Sequence, residues 1–319
     1  MPPDHLPISV YLSQQAQEAM LAAERAPAPA RTPYTDETIT QIRRDTDNFT
    51  RGLLALVRED YAVKLRRASC NGVPVHVVTP AGGTTSGRVI LELHAGAFLF
   101  GTTYGLVEAA PIAALTGHTV VCVDYRLAPK HQHPAALEDA SCVYRALLDR
   151  FNAAHIGVVG SSAGGLLASQ LIARNARDAV PQPGAIAMLA AGADVRFDGD
   201  TRYRYPPAPP APHGQGGVLD YMLERYFPDA DLRARLISPA WDDDVLTSLP
   251  PSLLITATRA FEMSSVVFTH QRLLKAGVAA ELHIWDGLSH CFYLMSPRLP
   301  ESKAVFERVA SFFRGHLGA

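Results

Sequence analysis

Between residues 155 and 176 the chain runs from an apolar, β-branched stretch, HIGVV, through Gly160-Ser161-Ser162-Ala163-Gly164 into a stretch of helical period, AGGLLASQLIARNA. A strand that turns at once into a helix constrains the fold more than any other feature, because the same alternation recurs along most of the chain. Short β-branched runs stand at Val73–Thr79, Val89–Leu93, Thr119–Val123, Ile156–Val159, Ala185–Ala190, Ser252–Ala257 and Glu281–Trp285. Helical period returns over 134–150, 163–176, 264–276 and 302–316. Near-continuous apolar strands alternating with helices predict a largely parallel sheet covered on both faces. Ahead of this pattern, residues 11–25 read as a helix and Ala26–Pro33 as a Pro/Ala hinge. A second helix is expected from about Thr35, with Thr35-Asp36-Glu37 as its cap and acidic first turn. No internal repeat is evident.

A chain of 319 residues buries roughly 75% of its unfolded surface and needs no metal or disulfide to hold a core. With 48% apolar and 19% charged residues, wholesale disorder is excluded. The charge is nearly balanced, 29 basic against 31 acidic residues, which argues against a nucleic-acid binder. Cys70, Cys122, Cys142 and Cys291 lie far apart without a CxxC pair, so neither a zinc site nor a disulfide framework is expected, and a reducing compartment is. Met1–Glu24 contains no Lys or Arg and so does not read as a signal peptide. The apolar run Ala185–Ala193 is far short of the ~20 residues of a membrane span. The expectation is a soluble cytoplasmic protein. Tyr205–Gly217 (YPPAPPAPHGQGG) reads as a Pro/Gly-rich loop, either roofing a site or offering a weak PxxP ligand.

Three segments carry chemistry. In Gly160–Gly164 the glycines let neighbouring backbone approach a strained turn that thrusts Ser162 outward, and the following helix points its N-terminal amides at any oxyanion formed there. His94-Ala95-Gly96-Ala97-Phe98 follows the strand VILEL, and its backbone amides, with that of Ala163, are candidate oxyanion donors. His290, in Gly287-Leu288-Ser289-His290 just beyond the last strand, is the candidate general base.

With these motifs in place the chain resembles the α/β-hydrolase fold, and within it the bacterial hormone-sensitive-lipase-like esterases near the lactone hydrolase branch, over roughly residues 70–316. His94–Phe98 matches the family's HGGGF turn, Gly160–Gly165 its GDSAGG elbow and Gly287–Phe292 its GMxHGF block. Asp124–Pro129 and His133–Asp139 are similar to its YRLAP and HPFPAALED blocks, which brace the sheet. The resemblance implies a mostly parallel eight-stranded sheet flanked by helices, with residues 1–60 as a helical cap, 61–319 as the catalytic domain and a Pro-rich cap insertion at about 198–226. It also implies a small ester, lactone or acyl substrate, no cofactor, no metal, and a homodimer in some relatives.

The departures are as informative. In the segment Thr256–Ser264, similar to TGTRDLLLS in relatives, the position of the family's acid holds Ala260. Loss of the orienting carboxylate costs a serine protease ~10⁴-fold, about 5–6 kcal/mol of barrier. Three readings are open: Glu262 reaches His290 in its place; no carboxylate does; or the alanine is a deliberate substitution. Asp194 resembles a structural Asp of the family, and Asp242, Asp243 and Asp244 read as a solvated acidic turn. Ala95 and Ala97 stand where the family has glycine, which costs strain wherever φ must be positive. Ser161 replaces an Asp of many relatives, and Cys291, a small filler, replaces the glycine after the histidine.

Two functions follow. In the first, Ser162 is acylated by an ester or lactone, His290 takes its proton, Glu262 orients the histidine, and the amides of Gly96, Ala97 and Ala163 hold the oxyanion. In the second, the altered acid and oxyanion positions mark a hydrolase scaffold turned to acyl transfer, cyclisation, elimination or ligand binding without turnover.

Overall fold

A computed structural model describes residues 6–25, 32–84, 87–205 and 217–318. Most of the Ala26–Pro33 hinge and of the Tyr205–Gly217 loop lies outside the described residues.

Eight strands form one sheet: β1 (Val63–Cys70), β2 (Val73–Pro80), β3 (Val89–Leu93), β4 (Thr119–Val123), β5 (Ile156–Ser161), β6 (Ala185–Leu189), β7 (Ser252–Ala257) and β8 (Ala280–Trp285). Their spatial order is β1-β2-β4-β3-β5-β6-β7-β8, antiparallel at β1/β2 and β2/β4 and parallel elsewhere. The helices are α1 (Gln14–Arg25), α2 (Ile39–Asp60), α3 (Thr102–Thr116), α4 (Ala135–Leu148), α5 (Ala163–Arg177), α6 (Asp200–Arg204), α7 (Val218–Tyr226), α8 (Asp243–Thr247), α9 (Met263–Lys275), α10 (Phe292–Met295) and α11 (Pro300–Leu317). Apolar cores lie on both faces of the sheet, one including α4 and α5, the other including α3 and α11. The central strands β3, β5, β6 and β7 are buried along their whole length, which is why they read as unbroken apolar runs.

Four local expectations need correction. The sheet begins at Val63, not Val73: β1 is an edge strand whose alternate residues, Lys64 and Arg66 among them, face solvent, and its charge hid it. Helix α3 lacks an amphipathic period because it is buried all round from Gly105 to Ile112, and Pro111 lies inside it. Helix α2 is regular only from Ile39: Thr35 caps the turn ahead of it, its hydroxyl accepting from the Thr38 amide at 3.3 Å and its carbonyl from the Ile39 amide at 3.0 Å, but the first turn of α2 holds no acidic residue. Asp36 instead accepts from the Tyr221 hydroxyl (2.7 Å) and the Arg225 guanidinium (2.9 Å), tying the N-terminal segment to α7. Nor is the acidic triplet a plain solvated turn. Asp242 caps α8 by accepting from the Val245 amide at 2.9 Å, and Asp243 pairs with Arg272 at 2.6 Å.

The two blocks after β4, Asp124–Pro129 and His133–Asp139, act as expected of braces. The Arg126 amide and Nε both donate to Asp139, at 2.9 and 3.0 Å, and its guanidinium also pairs with Glu138. Asp194 is buried and receives the Arg196 amide and the Ser238 hydroxyl, a structural arrangement. Among the described residues no helix is long and apolar enough to cross a membrane, and all four cysteines are free.

Candidate active site

Because β3, β5, β7 and β8 run parallel, the loops that follow them emerge at one edge of the sheet, where open α/β sheets bind their ligands. The strand order sets β3 directly beside β5, with Leu93 opposite Gly160, so the His94–Phe98 turn lies against the Ser162 elbow.

Ser162 sits between β5 and α5 at φ 54°, ψ −120°, a conformation an L-residue holds only when its surroundings impose it. The flanking glycines show what imposes it. A Cβ at Gly164 would stand 1.7 Å from the Leu93 carbonyl oxygen, and one at Gly160 would stand 2.3 Å from that of Gly164. The Ser162 amide donates to the Leu189 carbonyl at 2.8 Å, pinning the elbow to β6.

The structure joins three of the sequence-predicted side chains in a line. With Nδ1 carrying the proton, His290 donates to Glu262 Oε2 at 2.8 Å, leaving Nε2 to accept from Ser162 Oγ at 3.0 Å. Glu262 is fully buried, and its second oxygen, Oε1, accepts from the Thr256 hydroxyl at 3.1 Å. It stands at the N-cap of α9, where the positive end of the helix favours a carboxylate. Ala260 is also fully buried, in the apolar cluster with Leu12, Leu288 and Cys291. Of the three readings of that alanine, the geometry matches the first: the carboxylate has moved two residues along the loop, and glutamate's longer side chain spans the gap. Burial alone would pull the His290 imidazole down. Cys291, with Sγ 3.4 Å from Nε2, and the Glu262 carboxylate on Nδ1 pull it up, and the net direction is well above the ordinary histidine value. The ring of Phe261 packs against that of His290 at 4.5 Å.

The His94–Phe98 turn is left-handed at three successive residues: Gly96 (φ 123°), Ala97 (φ 54°) and Phe98 (φ 58°). Gly96 is obligatory, since a Cβ there would meet the Phe100 carbonyl oxygen at 1.9 Å. Strain from replacing the family's glycines therefore falls on Ala97 and not on Ala95. Ala163 is the first residue of α5, where an amide has no intrahelical acceptor and is free for a ligand. His94 is a brace: its ring stacks on Tyr125 at 3.9 Å, and the Tyr125 hydroxyl donates to the His94 carbonyl at 2.7 Å. Burial lowers this imidazole to about 4, which keeps it neutral.

Two contributors were not anticipated. Arg43 on α2 donates from Nε to the Leu99 carbonyl at 2.6 Å and also reaches the Ala128 carbonyl, so α2 clamps the chain just after the His94–Phe98 turn. Thr256 steadies Glu262 from β7. Neither has a motif; the Arg43–Leu99 contact spans 56 residues and only tertiary packing creates it. Apart from these groups, a cavity of about 770 Å³ lies among α2, the β1–β2 hairpin and the start of α3. Its arginines, Arg51 and Arg67, are matched by Asp47 and Asp124, so the lining selects no ligand charge. Among the described residues no cluster of His, Cys, Asp and Glu is arranged to hold a metal ion.

Compared with known proteins, residues 90–294 match the family model described as the alpha/beta hydrolase fold, roughly two thirds of the chain. The chain belongs to the α/β-hydrolase family. This hydrolase is 29% identical over 264 residues to an acetyl-hydrolase of Streptomyces hygroscopicus, covering 77% of the chain and 85% of that protein. Its structure superposes on that of esterase E25 with a TM-score of 0.87 at 29% identity, over 100% of this chain and 98% of the other. An esterase of the bacterial hormone-sensitive lipase family is also similar, with a TM-score of 0.75 at 28% identity over 91% and 100% of the two chains. The hydrolase thus sits among the hormone-sensitive-lipase-like esterases, the group its motifs resemble.

Proposed function

We propose that this carboxylic ester hydrolase works through an acyl-enzyme on Ser162. The observation that carries the reading is the unbroken line from Ser162 Oγ through the His290 imidazole to the buried Glu262 carboxylate, at 3.0 and 2.8 Å. Ser162 Oγ attacks the ester carbonyl carbon while its proton passes to His290 Nε2. The resulting oxyanion is held by the amides of Gly96, Ala97 and Ala163. The imidazolium, favoured by Glu262, gives that proton to the leaving alkoxide oxygen as the tetrahedral intermediate collapses. Water activated by the same imidazole then attacks the acyl-enzyme, releasing the acid and restoring Ser162. Glu262 holds Nδ1 protonated throughout, so that Nε2 is the basic nitrogen facing the serine.

The similarity to an acetyl-hydrolase supports short acyl groups as substrates. We take the described parts of residues 1–60 and of the 198–226 insertion as the cap over the site: Arg43 on α2 holds the oxyanion turn, and Tyr226 at the end of α7 stacks on Phe98 of that turn at 4.3 Å. The four free thiols accord with a cytoplasmic setting. The non-hydrolytic reading drew its strength from the altered acid and oxyanion positions, and a carboxylate hydrogen-bonded to His290 speaks against the first of these grounds. Steady-state hydrolysis of p-nitrophenyl butyrate tests the proposal. Turnover by the intact chain that is lost in Ser162→Ala supports it; a folded Ser162→Ala protein as active as its parent refutes it.

A further inference from the structure

Behind the nucleophile lies a buried polar group that the acyl-enzyme steps do not use. Ser161 Oγ and Tyr293 Oη are 2.8 Å apart, and both residues are almost wholly buried. Ser161 immediately precedes the nucleophile, and Tyr293 follows the base by three residues, on α10. One hydrogen bond therefore joins the end of β5 to α10, 132 residues apart in the chain and close to both reacting side chains. Tyr293 Oη also lies 3.8 Å from Cys291 Sγ, itself 3.4 Å from His290 Nε2. Glu92 and Glu108 are fully buried alongside, Glu108 with Ser161 and Glu92 with Cys122 as a side-chain hydrogen-bond partner. Helix α3 crosses Glu92 at Gly105, where a Cβ would stand 2.3 Å from Glu92 Oε2. Burial raises both carboxyls above the ordinary carboxylate range, and for Glu92 the neighbouring Glu108 adds to the rise.

Resting on the acyl-enzyme reading, we propose that Tyr293 is a positioning residue: its hydrogen bond to Ser161 locks the nucleophile elbow to the histidine loop. The physical need is plain. Ser162 is held at a costly φ of 54°, and its Oγ must stay 3.0 Å from a nitrogen carried by a separate loop. A misplacement of about 1 Å is enough to cost on the order of 10²-fold in rate. The tie acts on the geometry of the reacting pair and touches no substrate.

The test is a mutant cycle of Tyr293→Phe, Ser161→Ala and the double variant, with Ser162→Ala alongside, assayed on p-nitrophenyl butyrate. Tyr293→Phe keeps the ring, which packs edge-on against Phe292 and Phe306, and removes only the hydroxyl. The expected result is a fall in kcat of about tenfold for each single change, with KM and melting temperature little altered. The double variant should be no slower than the worse single, because both remove the same bond. A Tyr293→Phe protein with kcat within about twofold of its parent, or kcat losses that multiply in the double variant, overturns the proposal. So does a kcat that is retained while melting temperature falls, which marks a structural bond only. Should Tyr293→Phe fail to fold, Ser161→Ala alone decides, since it removes the other end of the bond. An active Ser162→Ala protein defeats the acyl-enzyme reading itself and is distinguishable from all of these.

Discussion

Replacing Glu262 with glutamine removes one negative charge and reverses one hydrogen bond, while leaving the side chain's volume nearly unchanged. In the native site Oε2 accepts from His290 Nδ1 at 2.8 Å and Oε1 accepts from Thr256 at 3.1 Å. The Thr256 hydroxyl continues to donate to the amide oxygen, which leaves the amide NH₂ facing Nδ1. That group donates, so the imidazole proton shifts to Nε2, and the nitrogen facing Ser162 becomes a donor with no lone pair to take the serine proton. The imidazolium formed during attack also loses its buried counter-charge. The equivalent loss in serine proteases costs ~10⁴-fold in kcat, about 5–6 kcal/mol of barrier, and a fully buried carboxylate with no exposure to solvent should be worth as much here. The assay is p-nitrophenyl butyrate hydrolysis by Glu262→Gln, Glu262→Asp and the parent, with Ser162→Ala as the blank and a thermal melt for each. The expected order is parent, then Glu262→Asp, then Glu262→Gln near the blank, with melting little changed. A folded Glu262→Gln protein within about tenfold of its parent would falsify the assignment of Glu262 as the orienting acid.

The pH dependence follows with a definite sign. His290 works as a base when neutral, and its value is raised above the ordinary one, so the acid limb of kcat/KM should lie above about 6.5 and activity should rise through it with pH. In Glu262→Gln the residual activity should show that limb displaced to lower pH; an unmoved limb would mean the carboxylate does not act on His290. Ala260→Asp, which restores the family's residue, should raise no activity. It should lower the melting temperature, because the new carboxylate is buried among apolar side chains at a cost of about 3 kcal/mol; a more active and equally stable variant contradicts this. Gly96→Ala should lose about 10²-fold in kcat with the fold intact, since the Phe100 carbonyl must move and carry the oxyanion turn with it, and near-normal kcat would show the turn is tolerant. Arg43→Met should lower kcat and loosen the turn, seen as faster amide exchange over residues 96–100; unchanged exchange would sever α2 from the site.

Much of this protein was legible without a structure, and the reason is the range over which each constraint acts. Burial on both faces writes β3, β5 and β7 as apolar runs, so their limits could be read almost to the residue. The elbow is a local steric demand: Gly160 and Gly164 are required by contacts within their own turn and the neighbouring strand, and they mark Ser162 from the sequence alone. His290 was found by its place after the last strand. What failed locally failed for physical cause. Strand β1 pairs at an edge and spends its outward positions on Lys64 and Arg66, while α3 is enclosed on every side and has no polar face to show its period. The acid was the decisive ambiguity. Glu262 lies two residues beyond Ala260, and a chain of letters carries no record of whether its carboxylate reaches the histidine or none does. Only the folded protein decided it, by ending β7 and starting α9 so that Ala260 packs into the core while Glu262 turns to His290 Nδ1. The same holds for Arg43 on the Leu99 carbonyl and for Tyr293 on Ser161, contacts 56 and 132 residues apart, where sequence names the groups and tertiary packing alone makes them meet.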